Sequence, residues 1–188
     1  MKIVLASASP RRKELIKKLD YVEAKVVPSN VSEDIGVLPP EEYVKKLAFL
    51  KASEVYSRTG GVVVGADTVV TCDGKIYGKP KSFSEADQMF KELCGKTHSV
   101  ITGLYVTNGE CTKSDCVITY VTFGKYDDSL VHSYIMSGSP FDKAGGYGLQ
   151  DPEIKDLIVE VVGDKDNVVG LPVSKLDDML KQFREIIK

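Results

Sequence analysis

The order of the apolar segments limits the fold of this chain more than any other feature of the sequence. A short apolar run at residues 2–6 is followed by Ser9 and Pro10, which favour the start of a helix. Strand-like runs and helical patterns alternate through the first half of the chain, and a meander of longer strands follows. This order predicts an α/β fold with a mixed sheet and flanking helices rather than a purely parallel sheet.

The predicted strands cover residues 2–6, 24–27, 62–64, 69–71, 75–77, 98–106, 116–123, 157–162 and 168–171. The strand at 62–64 is expected to end at Gly65-Ala66-Asp67, and Asp73-Gly74 is typical of a hairpin turn. Five helices are predicted. The first begins after its cap Ser9, the second runs from Pro39-Pro40 to about Arg58, and the third follows the capping box at residues 82–85. The fourth covers residues 129–136, and the fifth is capped by Ser174 and continues through Ile187.

Length, composition and charge exclude several classes of protein. The 188 residues fit one domain or one compact two-lobed unit, and 43% of them are hydrophobic. A net charge of −2 gives no general attraction to nucleic acid or to a membrane surface. The apolar runs are far too short to cross a bilayer, and residues 1–6 lack the longer apolar region of a signal peptide. We therefore expect a soluble cytoplasmic protein.

Cysteine and histidine supply few candidates for a site. The four cysteines form no C-x-x-C pair, so a zinc site is disfavoured and we expect small buried or half-buried thiols. His98 and His132 are the only histidines, so a Ser-His-Asp triad would need one of them. His98 stands at the start of a strand, where a core or hydrogen-bonding role is expected.

A first group of candidate residues lies between the first strand and the first helix. Ser7, Ser9, Arg11 and Arg12 place two hydroxyls and two guanidinium groups at a helix start. Free backbone N–H groups and the positive end of the helix dipole favour an oxyanion there, and a triphosphate is the obvious candidate. The P-loop pattern is absent. The alternative is a well-capped helix whose arginines face solvent.

A second group consists of carboxylates and lysines. Asp67, followed by Thr68, could hold a divalent cation or activate a water, and Glu33 and Asp34 could complete a metal site. Lysines in rigid turns suit phosphate neutralisation; they are Lys79, Lys96 and Lys143. For the carboxylates the alternative is polar turns and loops. For these lysines, and for Lys51 in the long helix, the alternative is that they are surface residues without a role in a site.

Taken together, these segments resemble the Maf family of nucleotide pyrophosphatases. The matching stretches occur in family order and span nearly the whole chain: residues 5–12, 65–70, 78–80, 93–100, 137–140, 142–150 and 167–172. The resemblance implies an elongated α/β fold with a curved sheet and a central cleft between two lobes, similar in shape to inosine-triphosphate pyrophosphatases. It also implies hydrolysis between the α and β phosphates of a nucleoside triphosphate, a divalent metal (Mg²⁺ or Mn²⁺) and, by analogy, a homodimer.

The resemblance also assigns roles to individual residues. Asp67 matches the position of the proton acceptor, and with Glu33 it is expected to hold the metal. Other positions match residues that handle phosphate or metal: Ser7, Arg12, Glu33, Lys51 and Lys79. Hydrolysis of a phosphoanhydride needs a positioned water and stabilised oxyanions, so these parts suffice without a covalent nucleophile.

Three positions bear on substrate choice. Arg11, Thr68 and Gln150 resemble the family type that acts on dTTP and UTP rather than the type that acts on 7-methyl-GTP. The chain departs from the family after Gln150, at residues 151–156, beside the expected base pocket. A 7-methyl-GTP enzyme therefore stays an alternative, as does a non-catalytic nucleotide-binding regulator of division. A nucleic-acid-binding module built on Arg11-Arg12 is disfavoured by the net charge.

Overall fold

The computed structural model, which describes residues 1–186, contains one mixed sheet of seven strands. The strands are β1 (Lys2–Ala6), β2 (Glu23–Val26), β3 (Val63–Cys72), β4 (Lys75–Tyr77), β5 (Thr97–Thr107), β6 (Thr112–Phe123) and β7 (Ile158–Val162). Their order in the sheet is β2-β1-β3-β5-β6-β7, with β4 paired to β3. Strand β1 is parallel to both β2 and β3, whereas the β3–β4 and β6–β7 pairs are antiparallel.

Six α-helices flank these strands within the described residues. They are α1 (Pro10–Leu15), α2 (Pro40–Thr59), α3 (Phe83–Leu93), α4 (Asp128–Met136), α5 (Lys165–Val169) and α6 (Val173–Ile186). Short 3₁₀ segments cover Ile16–Lys18, Ser139–Asp142, Ala144–Gly146 and Pro152–Leu157. The predicted mixed α/β sheet with flanking helices is thus confirmed.

The described chain divides into two compact units. The first consists of Met1–Thr68, Thr102–Val117 and the residues from Gly170 onward, and the second of Val69–Ile101 and Ile118–Val169. Strands β3, β5 and β6 contribute residues to both units. The expectation of a single two-lobed domain stays a prediction.

In the first unit, glycines bring helix α2 into direct contact with the sheet. A Cβ atom at Gly65 on β3 would lie only 2.1 Å from the carbonyl oxygen of Ala48, and one at Gly103 on β5 only 2.5 Å from that of Val44. Ala52, one turn after Ala48, also faces Gly65 and is fully buried. Because the side chains on both surfaces are so small, the helix backbone packs against β3 and β5 at van der Waals distance.

The core of the second unit contains a cluster of aromatic rings among aliphatic side chains. The rings of Phe90 and Phe123 stack at 6.2 Å between centroids, and Tyr147 meets Phe123 edge-on at 4.7 Å. The His98 side chain lies inside this cluster, with Nε2 2.7 Å from the Tyr147 hydroxyl. Burial lowers the pKa of His98 to about 4. The expectation of a core, hydrogen-bonding histidine is confirmed.

The structure confirms the hairpin turn and the helix cap that local sequence patterns predict. Asp73 and Gly74 both have positive φ, 51° and 78°, as the predicted hairpin turn requires. The Ser82 hydroxyl accepts the Glu85 backbone N–H at 3.2 Å, which confirms the predicted helix cap. The Glu85 carboxylate accepts from the backbone N–H of Lys81 at 2.8 Å, one residue before the position that the capping box predicts.

The end predicted for the strand at residues 62–64 is wrong. Strand β3 runs without interruption from Val63 to Cys72, so Gly65 and Asp67 lie inside it. Gly65 was interpreted as a strand terminator, but its lack of a side chain serves the approach of helix α2 instead. Asp67 therefore projects from a continuous strand rather than from a turn.

Two further predictions near the C-terminus are also wrong. Residues 168–171 do not form a strand, because Lys165–Val169 is helical. The Asp164 carboxylate accepts the backbone N–H groups of Asp166 and Asn167, at 2.8 and 3.3 Å, and this cap outweighs the β propensity of the two valines. Ser174 lies inside helix α6, which begins at Val173, and Ile187 lies outside the described residues.

The cysteines are all free, with Cys72 buried and the other three half-buried, which confirms their expected role as small packing residues. Within residues 1–186, no helix combines the length and the apolar character needed to span a membrane.

The close packing of helix α2 on β3 predicts a specific sensitivity at Gly65. A Gly65→Ala substitution places a methyl group against the Ala48 backbone, which cannot move without the helix, so we expect unfolding to become easier by about 3 kcal/mol. Gly124→Ala is the matched control, because its methyl would lie 3.4 Å from Val159 Cγ2, and we expect a change below about 1 kcal/mol. Urea denaturation measures both, and equal losses would contradict the packing argument.

Candidate active site

A buried carboxylate and a lysine form the centre of the candidate site. Asp67 Oδ1 accepts a hydrogen bond from Lys51 Nζ at 2.6 Å, and both side chains are about nine-tenths buried. The same nitrogen donates to Glu33 Oε1 at 2.6 Å, although the Glu33 side chain is 53% exposed. The lysine therefore joins a buried carboxylate to one that solvent reaches.

The sequence explains how these residues meet. Asp67 lies two positions after Gly65 on β3, and Lys51 lies one turn after Ala48 on α2. Since the helix backbone packs directly on Gly65, the Lys51 side chain reaches Asp67 across a single packing contact. The surface role considered for Lys51 is therefore wrong.

The electrostatic setting of Asp67 suits a group that accepts a proton. Burial raises its pKa above the usual aspartate value, and the charge of Glu33 acts in the same direction. The positive charges of Lys51 and Arg12 oppose this shift. Displaced pKa values of this kind are common in catalytic acids and bases.

Arg12 is held by several protein atoms of the first unit. Its Nε donates to the carbonyl oxygen of Gly170 at 2.7 Å, and its Nη1 donates to that of Ala66 at 3.0 Å. Its Nη2 donates to the hydroxyl of Thr68 at 2.9 Å. Burial lowers the pKa of Arg12, whereas the charges of Asp67 and Glu33 raise it. The guanidinium thus joins helix α1, strand β3 and the segment before α6.

The serines before α1 are used in capping and in contact with Arg12. Ser7 is 5% exposed, and its Oγ accepts the Ser9 backbone N–H at 3.1 Å and Arg12 Nη1 at 3.5 Å. Ser9 accepts the Arg12 backbone N–H at 3.4 Å, as its predicted role as helix cap requires. Because both acceptor positions of the Ser7 hydroxyl are used, its hydrogen is the part left to bind an oxyanion.

Two residues at the site were not identified from the sequence. Thr102, fully buried on β5, has its hydroxyl 2.9 Å from that of Thr68. The Tyr43 hydroxyl donates to the Glu33 carbonyl oxygen at 2.7 Å and so holds the segment that carries Glu33. The one available signal was Thr102 itself, a polar residue within the apolar run of residues 100–106.

The structure brings together most of the predicted site residues in the first unit: Ser7, Arg12, Glu33, Lys51, Asp67 and Thr68. Arg11 lies beside Arg12 on helix α1 and is half-buried. Lys79 and Gln150 belong to the second unit, and both are exposed.

The other candidate lysines and Asp34 have separate surroundings. Lys96 forms an exposed ion pair with Asp73 at 2.9 Å. Lys143 is nearly buried and lies 3.4 Å from Asp151. Asp34 is exposed, and its backbone N–H donates to the Ser32 hydroxyl.

Glu33 and Asp67 were also the predicted metal ligands. Among residues 1–186, no group of three or more histidines, cysteines and carboxylates could hold a metal ion. The two carboxylates nevertheless approach the same Lys51 nitrogen, so they are close enough to contact one cation. Mg²⁺ commonly takes one or two carboxylates and completes its shell with water and substrate phosphates. The pair therefore fits a metal that a phosphate substrate also binds.

Comparison with known proteins identifies the family. The model of the Maf-like protein family matches residues 2–183, and the chain belongs to this family. The dTTP/UTP pyrophosphatase of Thermosipho africanus is 45% identical over 181 residues, which cover 96% of this chain and 92% of that protein. The dTTP/UTP pyrophosphatase of Thermococcus onnurineus is 48% identical over 172 residues, which cover 91% and 92%.

Solved structures support the fold. The Ham1 protein of Staphylococcus aureus aligns with a TM-score of 0.55 at 14% identity and covers 100% of both chains. The HAM1 protein of Coxiella burnetii aligns with a TM-score of 0.58 at 15% identity and covers 97% of this chain and 99% of its own. The mixed sheet with flanking helices is therefore shared with proteins of very different sequence.

The Lys51–Asp67 pair predicts a stability change with a defined pH dependence. Lys51→Met leaves a buried carboxylate without its main partner, which costs about 3–5 kcal/mol. Because the loss of that positive charge raises the pKa of Asp67 further, the folded variant takes up a proton as the pH falls. We expect the deficit relative to the wild type to be largest near pH 8 and to narrow toward pH 5.

Urea denaturation at several pH values tests this expectation. Lys46→Met, which removes an exposed lysine from the same helix, is the control and should show no such pH dependence. Adding Asp67→Asn to Lys51→Met removes the unpaired charge and should restore part of the lost stability at pH 8. A deficit independent of pH, or no recovery in the double variant, would contradict the assigned role of the pair.

Proposed function

We propose that this chain hydrolyses dTTP and UTP to the nucleoside monophosphate and pyrophosphate. The observation that carries the proposal is the buried Asp67 carboxylate, which contacts Lys51 and lies on strand β3. Arg12 donates to the Ala66 carbonyl oxygen on the same strand and contacts the Ser7 hydroxyl. The similarity to dTTP/UTP pyrophosphatases over more than nine-tenths of the chain supports the reaction and the substrate class. Free nucleotides are cytoplasmic metabolites, so we place the activity in the cytoplasm.

In this mechanism Asp67 takes a proton from the attacking water. The water oxygen forms a bond to phosphorus as the anhydride bond between the α and β phosphates breaks, and pyrophosphate leaves with the bonding electron pair. A carboxylate with a raised pKa is a stronger base than an exposed one, and burial raises the pKa of Asp67. Lys51 holds the carboxylate in one orientation through its 2.6 Å hydrogen bond.

Stabilisation of the phosphate oxygens is assigned to the donors near Asp67 and to the half-buried Arg11. Ser7 can donate its hydroxyl hydrogen, and Lys51 can donate its third N–H, because the other two are used on carboxylates. Arg11, beside Arg12 on helix α1, supplies positive charge that can meet the triphosphate. Donors of this kind stabilise charge as it develops on the oxygens during attack.

We also propose that Glu33 and Asp67 hold a divalent cation, Mg²⁺ or Mn²⁺, together with the substrate phosphates. When bound, the cation would neutralise phosphate charge and withdraw electron density from the reacting bond. The exposure of Glu33 suits a ligand that meets a metal arriving with the nucleotide. The homodimer expected from the family stays a prediction.

The choice of pyrimidine substrates is assigned to Arg11 and Thr68, and the role expected of Gln150 stays a prediction. An arginine repels the positive charge of a methylated guanine, whereas a hydroxyl suits the polar edge of uracil or thymine. A site built on such hydrogen bonds disfavours bases that leave its polar groups unpaired.

A nucleotide panel with product analysis tests the proposal. With Mg²⁺ or Mn²⁺ present, dTTP and UTP should give equimolar monophosphate and pyrophosphate, and EDTA should abolish turnover. The kcat/KM values for dTTP and UTP should exceed that for 7-methyl-GTP by at least about 100-fold, as expected when hydrogen bonds select the substrate.

Each alternative predicts a different result. Diphosphate plus orthophosphate as products would disprove the reaction type. A preference for 7-methyl-GTP would reassign the substrate while leaving the reaction intact. Tight nucleotide binding with no turnover under any metal would favour the non-catalytic regulator.

A further inference from the structure

We propose that Thr102 is a positioning residue that, with Arg12, fixes the hydroxyl of Thr68 and thereby sharpens the choice between pyrimidine bases. The inference rests on the proposed function, because it concerns how Thr68 meets the substrate. It assigns a role to a residue that no motif in the sequence singles out.

The first observation is the placement of the Thr102 hydroxyl. Thr102 is fully buried on β5, and its Oγ1 lies 2.9 Å from Oγ1 of Thr68 on β3. Burying a hydroxyl is unfavourable unless it is hydrogen-bonded, and an apolar residue would fill this strand position without that requirement. The contact links a buried side chain to a half-buried one beside the catalytic carboxylate.

The second observation is the geometry of Arg12. Its guanidinium can only donate, so the 2.9 Å contact between Nη2 and Thr68 Oγ1 uses one acceptor position of that hydroxyl. The guanidinium itself is fixed by the carbonyl oxygens of Gly170 and Ala66, at 2.7 and 3.0 Å. Arg12 therefore acts as a brace for Thr68, and its main contacts are to protein atoms.

These contacts restrict what Thr68 can offer a substrate. A threonine hydroxyl has one hydrogen and two acceptor positions, and Arg12 takes one acceptor position. If Thr102 donates, the hydroxyl hydrogen of Thr68 stays available to a substrate. Its other acceptor, the Gly170 carbonyl oxygen, lies at the long distance of 3.4 Å. If Thr102 accepts, a single acceptor position stays available. The Thr68 hydroxyl donates to the Gly170 carbonyl oxygen, which can only accept, so Thr102 is the donor between the two threonines and Thr68 meets a substrate as a donor.

A hydroxyl that can only donate, or only accept, a hydrogen bond can distinguish a carbonyl oxygen from an amino group. Uracil and thymine carry an oxygen at C4, whereas cytosine carries an amino group there. Without Thr102, the Thr68 hydroxyl can rotate and either donate to the first or accept from the second. The loss of one defined hydrogen bond should therefore weaken discrimination more than it weakens turnover.

Steady-state kinetics of the full-length protein on UTP and CTP test this inference. Thr102→Val removes the hydroxyl at similar volume and should lower the ratio of kcat/KM for UTP over CTP by about five- to tenfold. Thr102→Ser keeps the hydroxyl and should retain the wild-type ratio. Thr107→Val is the matched control, because Thr107 is also buried on β5 but bonds to the Cys111 carbonyl oxygen outside the site.

Arg12→Lys provides a second variant, since an ammonium cannot reproduce the forked contacts, and it should lower the same ratio. An unchanged ratio in Thr102→Val, or an equal fall in Thr107→Val, would overturn the inference. If the wild type releases pyrophosphate from UTP while the variants keep its ratio of kcat/KM for UTP over CTP, the inference fails and the proposed function stands. A wild-type protein inactive on UTP and dTTP would overturn both.

Discussion

The buried contact between Lys51 and Asp67 is the interaction on which the rest of the site depends. A carboxylate inside a protein is costly unless a positive charge accompanies it, and Lys51 supplies that charge from a helix on the face of the sheet. Burial raises the pKa of Asp67, and the positive charge of Lys51 opposes that rise. One ion pair thus satisfies a demand of folding and a demand of the proposed chemistry.

That ion pair depends on the close packing of helix α2 on the sheet in the first unit. Lys51 reaches Asp67 because Gly65 and Gly103 allow the backbone of helix α2 to rest on β3 and β5. Arg12 then fixes strand β3 from another direction through the Ala66 carbonyl oxygen and the Thr68 hydroxyl. Close packing and buried polar contacts together hold the carboxylate still, as a positioned base needs.

Local patterns predicted much of this fold, because their physical causes lie within a few residues. The Ser82 cap, the Asp73-Gly74 turn and the long helix after Pro40 are examples. The errors arose where a distant partner decides the outcome. Gly65 suggested the end of a strand, yet it serves a helix that begins 25 residues earlier, at Pro40. Asp67 was identified by resemblance, whereas Thr102 was not, because its importance follows only from contact with Thr68 across the sheet.

The central claim is that Asp67 activates the water that attacks the triphosphate, and the rate of the chemical step in Asp67→Asn tests it most directly. The amide keeps the shape and can still accept a hydrogen bond from Lys51, but it cannot take the proton. Single-turnover release of pyrophosphate from dTTP, with enzyme in excess over nucleotide and with saturating metal, should slow by about 10²–10⁴-fold in a variant whose thermal unfolding shows a folded protein. A folded Asn variant with a rate within about threefold of the wild type would contradict the account.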